Sequence, residues 1–138
     1  MRAVRVILWV ICAAYWVALF TLTHLPQVPA VGQRVQDKLA HFLAYGVLAG
    51  MLYLVLWASK SPQGRAAYFV ISVTLLYGAM DEITQPLVGR SCEFYDWLAD
   101  AAGALTVVGV FTSVRYFIER AGRGSGAAGF DLVAHERA

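Results

Sequence analysis

The third of four apolar runs in this chain reads AAYFVISVTLLYGAMDEITQPL, from Ala66 to Leu87. It holds no charged residue until the adjacent acids Asp81 and Glu82, which lie near one end. About 20 helical residues rise about 30 Å, which is the thickness of the hydrocarbon core of a bilayer. The run therefore predicts a membrane-spanning helix, and acids inside such a helix indicate a functional or closely partnered position.

The rest of the chain has the composition of a membrane protein. Of its 138 residues, 59% are hydrophobic and only 14% are charged, whereas a soluble domain has about 25% charged residues. A small soluble protein has too much surface to hide this much apolar material, and lipid as the solvent removes that conflict. Each apolar run must satisfy its own backbone hydrogen bonds in lipid, so each should be helical. The other three runs extend over residues 4–23, 39–58 and 95–118.

These runs predict an all-α, polytopic membrane protein, an antiparallel bundle of four transmembrane helices joined by short connections. One domain, residues 1–120, should contain the bundle. Residues 121–138 begin with a Gly-rich segment and are expected to form a flexible cytoplasmic tail. The third helix should end at Gln85, because Pro86 cannot continue the hydrogen-bond ladder. The helices are expected at residues 4–23, 37–58, 66–85 and 94–119.

Basic residues are distributed unevenly between the two sides of the bundle. Of the 11 Lys and Arg residues, eight belong to the N-terminus, the second connection and the C-terminal end, and three belong to the other connections: Arg34, Lys38 and Arg90. The positive-inside rule then predicts a multi-pass protein of the plasma (inner) membrane with both termini in the cytoplasm. A cleaved signal peptide is the alternative interpretation of the first run. We favour a retained helix, because the run is longer than the usual apolar region of about 7–15 residues.

Polar side chains collect near the ends of three helices that should face outward. Side chains four residues apart on a helix share a face. Such pairs occur on helix two (Asp37 and His41), helix three (Asp81 and Gln85) and helix four (Asp96 and Asp100). Because ionisable groups are costly in lipid, we expect them to point toward one another and form a small, outward-opening polar pocket among these three helices. The full set comprises Asp37, Lys38, His41, Asp81, Glu82, Gln85, Arg90, Asp96 and Asp100.

Residue type suggests a chemical role for each member of this set. Imidazole and paired acids suit proton transfer, and the planar guanidinium of Arg90 suits phosphate or carboxylate. The candidate catalytic acids or bases are His41, Asp81 and Glu82. The candidate binding residues are Lys38, Tyr45, Gln85, Arg90, Asp96 and Asp100.

A divalent cation is a further possibility that the sequence leaves open. Carboxylate oxygens would suit magnesium or calcium, and the candidate ligands are Asp81, Glu82, Asp96 and Asp100. Several of these residues could instead have a purely structural role. Asp37 and Asp96 could only complement helix N-termini, and Lys38 and Arg90 could only pair with carboxylates while snorkelling.

Several short motifs follow one another in an order typical of one family. They are Asp37-Lys38-x-x-His41-Phe42-x-x-Tyr45, Asp81-Glu82-x-x-Gln85, Arg90, and Asp96-x-x-x-Asp100-x-x-Gly103. Together they resemble the VanZ-like membrane proteins, over roughly residues 8–117. The resemblance implies an integral membrane bundle and, through the founding member, a link to low-level teicoplanin resistance. Asp100 departs from the family pattern, in which Asn is common, so an ionised Asp100 would favour a cation.

Two classes of function agree with such a site. An enzyme at the outer leaflet would act on an envelope component, such as a lipid-linked, phosphate-bearing intermediate. A non-catalytic binding or scaffold protein would bind lipid, an envelope ligand or a glycopeptide, and so alter antibiotic or precursor access. The expected partners are therefore membrane lipid and these ligands, with no nucleic acid, and the oligomeric state stays open.

The orientation can be tested with the two cysteines, Cys12 in the first run and Cys92 in the third connection. A maleimide that cannot cross membranes should label Cys92 on intact cells, because the third connection is expected to face outward. Cys12 should stay unlabelled in the middle of its helix. The Cys92→Ser variant is the control, and labelling only after permeabilisation would reverse the orientation.

Overall fold

The computed structural model describes the backbone of residues 2–25 and 34–135, and the side chains of 2–25 and 36–122. The prediction of an all-α fold is confirmed in these ranges, and four of the helices are long and apolar enough to cross a membrane. The elements are α1 (Arg2–Thr23), α2 (Arg34–Ala58), α3 (Gln63–Thr84), a 3₁₀ helix (Gln85–Val88) and α4 (Phe94–His135).

Contacts between helix ends establish the antiparallel arrangement. Thr23 at the end of α1 bonds to Asp81 near the end of α3. His41 near the start of α2 lies 3.9 Å from Glu82, also near the end of α3. At the opposite end of the bundle, Gln63 at the start of α3 donates to the Thr112 carbonyl in α4. Successive helices therefore run in alternating directions.

Large apolar side chains cover the outside of the bundle. Leu76 is 72% exposed and Tyr68 is 76% exposed, exposures that would be unfavourable in water. The core instead lies around α2, which packs against α1, α3 and α4. Helix α1 is peripheral, because only Cys12, Leu19 and Thr23 are buried along it. Lipid is the solvent that this surface suits.

Close contact between α2 and α4 depends on glycine. A Cβ atom built at Gly103 would overlap the Phe42 carbonyl oxygen. At Gly46 an added Cβ would lie 3.3 Å from Val107 and 3.4 Å from the Gly103 carbonyl oxygen. Small residues of this kind let two backbones approach in a membrane, where packing rather than water exclusion holds helices together.

Helices α1, α2 and α3 begin two or three residues before the expected positions, and α3 and α4 end at other residues than expected. Helix α3 ends at Thr84 and continues as the 3₁₀ helix, in which Pro86 occupies the first turn, a position where its missing N–H is tolerated. Helix α4 continues to His135 rather than ending at 119. Glycine weakens a helix without forbidding it, so the Gly-rich segment did not require an end. The flexibility of the tail stays a prediction, and residues 136–138 lie outside the described part.

A left-handed glycine turns the chain back after the 3₁₀ helix. Gly89 has φ 79°, a conformation that glycine adopts without a Cβ penalty. The Arg90 N–H donates to the Gln85 carbonyl at 3.2 Å. The Arg90 guanidinium consequently lies against the start of α2, with Nη2 3.9 Å from Asp37 Oδ1.

The role of Gly103 can be tested by adding one methyl group. Gly103→Ala should lower the free energy of unfolding by at least about 1–3 kcal/mol, because α2 and α4 must separate. Gly109→Ala is the matched control, since no atom lies within 4 Å of a Cβ added there. It should be neutral or stabilising by up to about 1 kcal/mol. Thermal unfolding in detergent measures both, and equal stability of Gly103→Ala and wild type would contradict this packing.

Candidate functional site

One end of the bundle gathers ionisable side chains into a buried cluster. The ends of α1 and α3 meet the starts of α2 and α4 there. Each of the following residues is at most 5% exposed: His41, Asp81, Glu82, Gln85, Asp96 and Asp100. The residues that the sequence singled out on three helices are thus brought together in the fold.

The Asp81 carboxylate is held from α1 and from its own helix. Thr23 Oγ1 donates to Asp81 Oδ1 at 2.7 Å, and Gln85 Nε2 donates to Asp81 Oδ2 at 3.4 Å. His24 Nδ1 lies 3.5 Å from Asp81 Oδ1, and its Nε2 lies 2.9 Å from the Thr84 hydroxyl. Sequence reasoning missed Thr23 and His24. The available signal was their position at the end of the first apolar run, level with Asp81 across the bundle.

His41 joins two carboxylates on two other helices. Its Nδ1 lies 2.9 Å from Asp100 Oδ1 and 3.9 Å from Glu82 Oε1. The remaining bonds of Glu82 fix its orientation, because Oε2 accepts the Glu93 backbone N–H at 2.9 Å and Oε1 accepts from Gln85 at 3.3 Å. The result is one imidazole facing two buried acids.

Lys38 neutralises a second part of the cluster. Its Nζ donates to Asp96 Oδ1 at 2.7 Å and to Glu93 Oε2 at 3.2 Å. The ammonium also lies 5.9 Å from the centre of the Tyr95 ring, within the range of a cation–π contact. Asp96 is 2% exposed, so this ion pair provides the charge compensation that a buried carboxylate needs.

Three buried oxygens in or beside the cluster have no partner at hydrogen-bond distance and angle among the described residues: Tyr45 Oη, Tyr77 Oη and Asp100 Oδ2. Asp100 and Tyr45 both pass Gly78, where an added Cβ would lie 3.0 Å from Asp100 Oδ2 and 3.3 Å from Tyr45 Cε1. Unpaired buried polar atoms carry a desolvation cost of about 1–3 kcal/mol each, which marks this spot as chemically incomplete.

A cavity of about 190 Å³ opens beside His41. It lies between α1 and α2, whereas the sequence predicts a pocket among helices two, three and four. The close packing at Gly78 and Gly103 leaves little space between α2, α3 and α4, whereas the peripheral α1 leaves a gap. The lining residues are Leu19, Leu22, Thr23, Asp37, Ala40, His41, Ala44, Tyr45 and Arg90.

The predicted site residues therefore separate into two groups. His41, Tyr45 and Arg90 line the cavity. The others do not line the cavity. The buried cluster behind it contains Asp81, Glu82, Gln85, Asp96 and Asp100, and the half-buried Lys38 pairs with Asp96.

Two groups of three side chains could hold a metal ion in the described part of the chain. Asp37, His41 and Asp96 form one, and His41, Glu82 and Asp100 form the other, with ligand atoms within 4.8 Å of one another in each group. Both groups contain His41, which was not among the candidate metal ligands taken from the sequence, Asp81, Glu82, Asp96 and Asp100. Asp81 belongs to neither group, because its oxygens face Thr23 and Gln85.

Comparison with protein families identifies the family of this chain. The VanZ/LLP1 family matches residues 7–115. The chain belongs to this family. The membership predicted from the motifs is thereby confirmed, and the VanZ/LLP1 match includes every residue of the buried cluster and of the cavity wall. No curated protein and no solved structure matches the chain.

The VanZ/LLP1 match also separates the bundle from its extension. The match ends at residue 115, whereas α4 continues to His135. The site of this VanZ/LLP1 protein therefore lies entirely in the part of the chain that the family shares.

The Lys38–Asp96 pair can be tested by a double-mutant cycle. Lys38→Met should lower the free energy of unfolding by about 2–4 kcal/mol, because it leaves a buried carboxylate uncompensated. In an Asp96→Asn background the same change should cost less than about 1 kcal/mol. Lys60→Met, at an exposed position on the opposite end, is the control. Unfolding in mixed detergent micelles measures the cycle, and equal costs in both backgrounds would refute the pairing.

Proposed function

We propose that this VanZ/LLP1 protein binds a phosphate-bearing lipid or lipid-linked envelope intermediate in the cavity beside His41. One observation carries the proposal: a guanidinium and an imidazole share a small cavity with apolar side chains. Arg90 and His41 lie in the same wall as Leu19 and Leu22. A phosphate headgroup would contact the basic groups, and the first carbons of its lipid chain would contact α1.

The distribution of charge supports an anion in the cavity, despite the many acids nearby. Asp37 is the single acidic residue of the cavity wall as the structure describes it. Glu82 and Asp100 lie behind His41, and Asp96 is already paired with Lys38. Arg90 is held in place by the Gly89 turn and by Asp37, and its fork suits two oxygens of one phosphate.

The proposed orientation places this cavity on the outer side of the plasma membrane. The excess of basic residues on the N-terminus, the second connection and the C-terminal end supports cytoplasmic termini. The cavity would then be reached from the outer leaflet, where envelope intermediates are processed.

The chemistry we propose at the cavity is hydrolysis of the phosphate ester: His41 Nε2 takes a proton from the attacking water, the bond between phosphorus and the lipid oxygen breaks, and the lipid leaves as the alcohol. Asp100 Oδ1 lies 2.9 Å from His41 Nδ1. In many hydrolases a carboxylate hydrogen-bonded to Nδ1 orients the catalytic imidazole in the same way. A bond at Nδ1 fixes the tautomer and leaves Nε2 for a substrate. A positioned acid or base of this kind contributes about 10²–10⁴-fold to a rate.

A non-catalytic role is the second candidate. The positions of Ser91 and Cys92, the potential nucleophiles nearest in sequence to Arg90, favour it. Ser91 and Cys92 are exposed, and neither lines the cavity. A protein that only holds an envelope lipid or a glycopeptide would alter antibiotic or precursor access, and lower teicoplanin binding to intact cells would be its readout.

Binding and turnover can be separated in nanodiscs with polyprenyl phosphate and the matched polyprenol. Wild type should bind the phosphate form in preference. Arg90→Gln should weaken that binding about 10- to 100-fold, because a charge-assisted contact is lost. Arg65→Gln, exposed at the opposite end of α3, should leave it unchanged.

His41→Gln decides between the two candidates. If His41 transfers protons, this variant should keep affinity within about tenfold and lose phosphate release by at least about 100-fold. Binding without any release by wild type would leave the non-catalytic role standing. Equal affinity for phosphate and polyprenol would contradict the binding proposal itself.

A further inference from the structure

Three buried side chains from three helices direct one ligand atom each toward a common centre. His41 Nδ1 lies 2.9 Å from Asp100 Oδ1 and 3.9 Å from Glu82 Oε1, and all three atoms lie within 4.8 Å of one another. Ligands at about 2.0–2.2 Å from one tetrahedral ion stand about 3.3–3.6 Å apart. Small side-chain adjustments therefore suffice to place one ion between these atoms.

The acids of this group receive little positive charge from the rest of the cluster. Glu82 accepts its hydrogen bonds from the Gln85 amide and the Glu93 backbone, which are neutral donors. The Lys38 ammonium instead donates to Asp96 and Glu93. Glu82 is 3% exposed and Asp100 is 1% exposed. Buried carboxylates need a counter-charge or a bound metal.

A separate observation points to a missing partner at the same place. Asp100 Oδ2 is buried without a hydrogen-bond partner in the described part of the chain. The other oxygen of the same carboxylate, Oδ1, is the atom that faces His41 Nδ1. A metal ion bound by this carboxylate would supply the charge and the contact that Oδ2 lacks.

The ligand set selects among metals. Calcium takes 6–8 oxygen ligands, and magnesium demands near-octahedral oxygen geometry, whereas imidazole suits first-row transition metals. Three protein ligands with a fourth position open are typical of catalytic zinc. We propose that His41, Glu82 and Asp100 bind one divalent transition-metal ion of the zinc or manganese type. This ligand set differs from the four carboxylates that the sequence offered as candidates for magnesium or calcium.

The proposed ion would occupy the place of the proton that His41 Nδ1 and Asp100 share, so His41 would be a ligand in the metal-bound protein and could transfer protons only in the metal-free one. Because His41 also lines the cavity, the ion would lie just behind the cavity wall. Metal binding does not depend on the proposed phosphate ligand, since it is measured with no polyprenyl phosphate present. Failure of either proposal therefore leaves the other testable.

The direct test measures metal on the full chain in nanodiscs, purified with a tag that contains no histidine. The protein is stripped with a chelator and dialysed against zinc, manganese, magnesium or calcium, and the bound metal is counted by mass spectrometry. We expect about one zinc or manganese ion per chain, as in a three-ligand site. The X-ray absorption spectrum of bound zinc should show one imidazole ligand with oxygen neighbours.

Isosteric variants locate the ligands. Asp100→Asn and Glu82→Gln should each weaken zinc binding by at least about 100-fold, because each removes a charged ligand. Asp81→Asn is the matched control: Asp81 is 0% exposed, yet it lies outside the ligand group. Its effect should stay below about tenfold, as for a neighbouring residue that does not ligate. Asp96→Asn should also retain the metal, which distinguishes this site from the group around Asp37.

Several results would overturn the proposal. One is wild type that retains no zinc or manganese, and another is binding of magnesium or calcium alone. Equal losses in Asp81→Asn and Asp100→Asn would indicate a diffuse acidic cluster. Loss in Asp96→Asn with retention in Asp100→Asn would assign the metal to the other group. The spectrum of wild type decides even where a variant fails to fold, since no imidazole ligand, or two, would contradict the site.

Discussion

A charged side chain at the centre of a bilayer costs about 2.5–3.5 kcal/mol on insertion scales, and this constraint governs the polar end of the bundle. Each of the four buried carboxylates meets a donor from another part of the chain. Asp81 meets Thr23, Asp96 meets Lys38, Asp100 meets His41, and Glu82 meets the Glu93 backbone. The groups that join the helices are therefore the same groups that could perform chemistry.

Packing elsewhere makes this arrangement possible. Gly103 lets α4 approach the backbone of α2, and Gly78 leaves room for the Asp100 carboxylate and the Tyr45 ring. Because these helices are close, the open space lies on the side of the peripheral α1. A ligand would thus reach His41 and Arg90 past Leu19 and Leu22, between helices that face lipid. The cavity is suited to a molecule that is itself partly in the membrane.

Much of the fold could be predicted from the lengths of the apolar runs, since each must be helical in lipid. The meeting of His41 with Asp100 could be predicted from position, because both lie near the starts of α2 and α4, which run in the same direction in an alternating bundle. The choice between Asp81 and Glu82 could not be predicted. Adjacent helical residues point about 100° apart, and the rotation of α3 decides that Glu82 faces His41 while Asp81 faces Thr23.

The packing of α1 against the other helices could not be predicted from the sequence either. Thr23 and His24 belong to the site through the tilt and register of α1 against α3, which no spacing within one helix records. The continuation of α4 past the Gly-rich segment illustrates the same limit. Glycine lowers helix propensity by only about 1 kcal/mol relative to alanine, so composition alone did not fix the end of that helix.

The central claim is that lipid forces His41 and Asp100 together inside the bundle. Solid-state NMR on the labelled protein in bilayers measures this directly, through the dipolar coupling between His41 Nδ1 and the Asp100 carboxyl carbon. An Nδ1–Oδ1 separation of 2.9 Å predicts a measurable coupling, and replacing Asp100 by Asn with the same label should keep the two groups close. Absence of any coupling in wild type, with both side chains in contact with lipid acyl chains, would contradict the account.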